Sequence, residues 1–285
     1  MSEAVTIPQG VSFSTPQHKA DVDGILHERL HIWSDFPLTQ VHELSGGNSL
    51  LLVSWFALHK SGMVDSFGID HAQLFAFLQE VQGLYHDNPY HCAMHAADVT
   101  QGTYSLMCAC GMFQSLPPVE ALALLVSAIV HDVDHPGVNN IFLINSESPL
   151  AFAYNDTSVL ENHHLSTAFK LLQRPELKWT SVLSKADAAT MRKCMIKNIL
   201  NTDMAVHKDG LQQLISLPDS CRAQTLALAT WAPEHRQIFN QVSPPLHTIS
   251  FLSAALRFNP PLLPNRSLCC TSPTSVPACA AFSSV

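Results

Sequence analysis

Charge is what this sequence has least of. Asp, Glu, Lys and Arg together make up 13% of its 285 residues, about half the usual share of roughly a quarter. Wholesale disorder combines low hydrophobicity with high charge, and 47% apolar residues exclude that for the chain as a whole. Long apolar runs are also missing. The longest clean one, Ala121 to Val130, is interrupted by Ser127, whereas spanning a bilayer takes about 20 residues. Met1 to Gly10 lack a basic stretch followed by an apolar core, so no signal peptide is expected. The expectation is a cytoplasmic protein with no membrane partner. No CxxC pair occurs among the eight cysteines, which argues against a cysteine-based zinc site. A chain of this length does not rely on a small disulfide framework. Period-two alternation and Asn-Gly hairpin turns are absent too, so strands are not expected. Finally, no Asp, Glu or Lys follows Glu234.

Histidine is abundant instead, with 16 against 15 Lys plus Arg. It is the commonest metal ligand. The formal net charge of −8 gives no general attraction to nucleic acid or anionic lipid, so no nucleic-acid partner is expected. A phosphate substrate would need local positive charge, which a metal ion can supply.

Three segments are distinguishable. Residues 1–35 are polar and read as irregular, and residues from 36 onward are dense with helix signals. From residue 243 the chain becomes proline-rich, with seven Pro and only Arg257 and Arg266 as charged side chains. In the middle segment, Ser49 to Ser61 reads as an apolar helix ended by Gly62. Asp70 can cap a helix running to Gly83. Pro117 and Pro118 suit a first helical turn, with Glu120 favourable at its positive end. The body of that helix, Ala121 to Val130, is apolar all round and should lie at the centre of the fold. Ser158 or Asn155 can start another helix, and Asp187 a further one through Met191, Met195 and Ile199. The fold class is all-α, one compact multi-helix domain.

Seven histidines fall between residues 86 and 164. His91 and His95 are four apart, which would put both rings on one helix face, though that spacing also arises by coincidence. His131-Asp132-Val133-Asp134-His135 follows the apolar helix directly. Burying an imidazole beside a carboxylate there is costly without a partner, and a divalent cation is one. Asp134 reads as a helix-end cap. Glu161, in Leu160-Glu161-Asn162-His163-His164, can hold a water at a metal or orient an imidazole, or it can simply be a solvated helix start. Together these clusters supply His95, His131 and Asp132 as metal ligands. His91, His135, Asn140, Glu161 and His164 are left as a surrounding polar layer. Mixed nitrogen and oxygen ligation suits zinc at a first site, and a harder neighbouring site suits magnesium or manganese, with Asp132 as the bridge.

The ordered set of motifs resembles the catalytic domain of class I cyclic nucleotide phosphodiesterases, which belong to the HD-type hydrolases. The stretches that carry the resemblance are Tyr85-His86-Asp87-Asn88-Pro89-Tyr90-His91 with His95-Ala96-Ala97-Asp98-Val99, and His131-Asp132-Val133-Asp134-His135-Pro136-Gly137 with Asn139-Asn140. Tyr154-Asn155-Asp156, Leu160-Glu161-Asn162-His163-His164 and Thr202-Asp203-Met204 complete it. The likeness runs from about Phe36 to Thr248, which makes 36–248 a partial catalytic domain and 249–285 an aberrant, disordered tail. The resemblance implies an all-helical fold that hydrolyses cAMP, cGMP or both with two divalent metals. By the same resemblance His91 is the general acid, and His95, His131 and Asp132 ligate the first metal. His135 and Glu161 then belong to the surrounding water shell, with His164 near the phosphate. The family also has an Asp shortly after Leu-His-Thr as a fourth ligand, where this chain reads Leu246-His247-Thr248-Ile249-Ser250-Phe251. Two expectations follow: a cyclic nucleotide phosphodiesterase, or a truncated, inactive chain that acts only by binding.

Overall fold

In the computed structural model residues 5–205 are described. The expected tail at 249–285 and the Leu246-His247-Thr248 stretch lie outside these residues. Twelve α-helices follow one another among the described residues: α1 (Pro16–Arg29), α2 (Leu38–Leu44), α3 (Ser49–Lys60), α4 (Met63–Phe67), α5 (His71–Gly83), α6 (Ala93–Ala109), α7 (Met112–Ser115), α8 (Pro118–Val130), α9 (Asn140–Asn145), α10 (Pro149–Ala153), α11 (Val159–Leu171) and α12 (Lys185–Leu200). Two short 3₁₀ turns, Pro175–Leu177 and Trp179–Val182, precede α12, and no strand occurs among the described residues. The chain is all-α.

The centre of the fold is α8, as its uninterrupted apolar run requires. Every residue from Ala121 to Val130 is buried. It packs between α6 and α12, while α3 covers the other side of α6. Fully burying a Leu, Val or Ile contributes about 1.5–3 kcal/mol, so this layer is the main source of stability. Ser127 is accommodated because its hydroxyl donates to Ala123 O at 2.6 Å and accepts from Asn198 of α12 at 3.2 Å. The position of α8 determines the site, because its last turn delivers His131 and Asp132 at the inner end of the core.

Two elements differ from expectation, and a third keeps an expected start without the expected side-chain cap. The first 35 residues are not irregular, because α1 occupies Pro16–Arg29. Thr15 caps it by accepting from His18 N at 3.1 Å, and Pro16 fills the first turn. Val22, Leu26 and Leu30, four apart, are fully buried. The Gln101 side chain of α6 then donates to Leu30 O and Ile32 O at 2.8 and 2.9 Å, satisfying carbonyls at the end of α1. The second difference is at α12. Ser184 rather than Asp187 flanks its start, accepting from Asp187 N at 3.1 Å and donating to its carboxylate at 2.7 Å. The third is at α11. Ser158 sits at its start with φ 40°, and its hydroxyl turns outward to donate to Asp203 at 2.8 Å instead of capping. Tertiary contact, not local capping, sets that helix start.

Candidate metal centre

The site is built from the ends of α6, α8 and α11. His131 is the residue that follows the last turn of α8. Its Nδ1 faces Ala128 O at 2.9 Å, which directs Nε2 toward Asp132 Oδ2 at 3.2 Å. From the first turn of α6, His95 Nε2 approaches the same carboxylate oxygen at 3.4 Å. From α11, His164 Nε2 lies 3.9 Å from Asp132 Oδ1, and its Nδ1 bonds Val133 O at 2.7 Å. His131 and His164 are 4% and 2% exposed. Asp132 therefore faces three imidazoles, two of which have their other nitrogen tied to a backbone carbonyl. Such ties fix the tautomer that leaves Nε2 with a lone pair, as metal-binding histidines require.

The electrostatics follow from that packing. Burial works against the Asp132 charge, yet the attraction of His131 and hydrogen bonds from His131 and His95 hold the carboxyl well below its usual range. Burial likewise opposes a charge on His131, but Asp132 wins and its pKa is raised. His164 and His135 go the other way. Burial above all pushes each down to about 4, with Asp132 partly offsetting it. For His135 the neighbouring His91 adds to the fall. Tyr85 holds the Asp132 backbone: its hydroxyl donates to Ile129 O at 3.0 Å and accepts from Asp132 N at 3.3 Å. Burial first, and then the Asp132 charge, raise its pKa well above the usual value, so it stays protonated.

His95, His131 and Asp132 offer three ligand atoms lying within 4.8 Å of one another, and this is the donor group gathered so closely among the described residues. Two imidazole nitrogens and a carboxylate form a donor set that suits a divalent cation.

The other expected residues surround this group at different ranges. His91 is not on the face of α6. It lies in the turn before the helix, which starts at Ala93, so the four-residue spacing does not place both rings on one helix. Instead the His91 ring stacks on His135, 4.0 Å between centroids and 11° between planes, and sits 5.9 Å from His95. Burial lowers the His91 pKa, with Asp132 opposing. His135 Nδ1 accepts from Gly137 N at 3.0 Å. Asn140 joins α9 to α11, donating to Glu161 at 3.0 Å and accepting from Leu160 N at 2.9 Å. Burial raises the Glu161 pKa despite that bond.

Asp134 does more than cap a helix. It takes a left-handed backbone, φ 61°, and accepts from His86 at 2.8 Å and from His163 at 2.8 Å. It thereby links the loop before α6 to α11. Sequence reasoning missed this role, and the support from Tyr85, because their partners are far away along the chain. The clustering of polar residues in 85–91 was the available signal.

The architecture and donor group define an all-helical scaffold with a histidine–aspartate centre at the meeting of three helix ends. The sequence profile of the 3'5'-cyclic nucleotide phosphodiesterase family matches residues 90–249, more than half of the chain, and the chain belongs to that family. It is 38% identical over 190 residues to the 3',5'-cyclic-AMP phosphodiesterase 4C of Rattus norvegicus, covering 66% of this chain and 35% of that protein. Against the probable 3',5'-cyclic-AMP phosphodiesterase pde-4 of Caenorhabditis elegans it is 37% identical over 193 residues, covering 68% and 28%. The chain thus spans about a third of the length of the curated relatives it matches. Among solved structures, the phosphodiesterase domain of the RhoPDE fusion protein from the choanoflagellate Salpingoeca rosetta superposes with a TM-score of 0.66 at 32% identity. That match covers 81% of this chain and 69% of the other.

Proposed function

We propose that this chain hydrolyses the cyclic phosphodiester of cAMP or cGMP to the 5′-nucleotide. The single observation that carries this reading is the close grouping of His95, His131 and Asp132, with His91 nearby, inside a fold of this family. The catalytic domain is placed at residues 36–248, with 249–285 outside it. His95 and His131 through Nε2, and Asp132 through Oδ2, would hold a first ion, for which zinc fits the donor set. The other oxygen of Asp132 is available to a second, harder ion such as magnesium or manganese. Bound there, such ions supply Lewis acidity toward water and toward the phosphoryl group.

The chain's own residues supply the rest. His91, in its protonated form, delivers a proton to the departing ribose 3′-oxygen, which would otherwise leave as a poor alkoxide. Stacking on His135 supports that ring, which stands edge-on to the His95 ring. His164 and Tyr85 hold Asp132 in place, and Glu161 with Asn140 orients water on the α11 side. The formal net charge of −8 gives no general attraction to nucleic acid. No helix among the described residues is long and apolar enough to cross a membrane, which accords with a cytoplasmic role.

A second reading is favoured by one observation in the sequence: no Asp or Glu side chain follows Glu234. Among the described residues no further carboxylate joins the three-residue group. On that reading the chain binds ion or nucleotide without turnover. Incubating the purified chain, supplied with zinc and magnesium, with cAMP or cGMP and chromatographing the products separates the two. A 5′-nucleotide supports hydrolysis. Unchanged substrate with metal bound supports the binding-only reading and refutes the first.

A further inference from the structure

The loop between α5 and α6, residues 84–92, carries His91 but has no helix to hold it. One side chain ties the backbone near His91 to a neighbouring segment. The Asn88 amide donates to His91 O at 3.1 Å and to His135 O at 2.8 Å. A single planar group thus closes its own loop and pins that loop to the turn after α8. The turn is shaped to receive it: Gly137 has φ 81°, and a Cβ there would come within 2.9 Å of Asn88 Oδ1. Asp134 adds a second tie by holding His86 of the same loop at 2.8 Å and His163 of α11 at 2.8 Å. The backbone points that Asn88 joins are those of His91 and His135, the two residues whose rings stack 4.0 Å apart.

We infer that Asn88 is a positioning residue for His91, bracing the backbone of the proton donor against that of His135. The inference rests on the role given to His91 above. An amide side chain suits the task because it offers two donors in one plane, matching two carbonyls from separate segments. Glu, Asp or Ser at this position would lack that pair. Misplacing a catalytic group by about 1 Å can cost roughly 10²-fold in rate, so losing the brace should be felt in turnover while the metal ligands, anchored on α6 and α8, stay put.

The test compares the full chain with Asn88→Ala and Asn88→Asp, all supplied with zinc and magnesium. Asn88→Asp keeps the shape and removes the donors. Both variants should lower kcat for the cyclic nucleotide by about 10–10²-fold, with KM and zinc content close to those of the unaltered chain. Bis(4-nitrophenyl) phosphate has a leaving group that departs without a proton, so its hydrolysis should fall far less. Amide hydrogen exchange across residues 84–92 should quicken in both variants. Equal losses on the two substrates, or loss of zinc, would make Asn88 merely structural and overturn the inference. Unchanged exchange in 84–92 would overturn the brace itself. Failure of the functional reading looks different: the unaltered chain would then cleave the 4-nitrophenyl diester but not the cyclic nucleotides, and the role of His91 would fall with it.

Discussion

Acid should weaken the metal-free chain, and the size of the effect follows from two buried histidines. His135 and His164 are each pushed down to about 4, chiefly by burial. Unfolding returns each to about 6.5. The unfolded chain therefore binds more protons between those values, and stability must fall as pH drops through that window. At pH 5 the gap from the unfolded value is about 1.5 units, or about 2 kcal/mol per histidine at 1.36 kcal/mol per unit. Because the two rings face each other at 5.6 Å, the sum should come to somewhat less than about 4 kcal/mol, a large part of the 5–15 kcal/mol typical of a domain. Two neighbours bear on this sum. Asp132 has a depressed pKa, so its contribution is lost only at still lower pH. The raised pKa of His131 works the other way, favouring the folded state as the pH falls, and offsets part of the loss. Urea denaturation with a chelator present, at pH 7 and pH 5, measures the difference. His164→Gln should remove a large share of it. Equal midpoints at the two pH values would show that these rings are not held neutral by burial, and the electrostatic picture of the site would fail.

Three further outcomes are expected. His91→Ala should cut cyclic nucleotide turnover by about 10²–10⁴-fold while zinc content, measured by atomic absorption, stays near that of the unaltered chain. Asp134→Ala should lower stability by about 1–3 kcal/mol, because His86 and His163 both lose their acceptor, yet leave zinc bound. Leu125→Ala, at a fully buried position in α8, should cost about 2–5 kcal/mol in thermal or urea unfolding.

How much of this was legible in the sequence depended on how local each cause is. The burial of α8 could be read directly, since an apolar run on all faces has nowhere else to go. The motifs point to His95, His131 and Asp132 as ligands, and the donor atoms of these three lie within 4.8 Å of one another. Helix α1 was hidden because few of its residues, Val22, Ile25 and Leu26, face the core, and the polar residues around them dilute the signal. The place of His91 was misjudged for a similar reason. Nothing in the spacing shows that α6 starts two residues after it. The tie at Asp134 was out of reach, because its partners lie 48 residues before it and 29 after it, and proximity of that kind is a product of the fold.

The account rests above all on the ion held by His95, His131 and Asp132. Zinc titrated into the chelator-treated full chain, followed by X-ray absorption at the zinc edge, tests this most directly. The account predicts a tight zinc ion coordinated by nitrogen and oxygen, with two imidazoles in its shell, and a marked loss of affinity in Asp132→Asn. Absence of tight binding, a sulfur-ligated ion, or unchanged affinity in Asp132→Asn would contradict it.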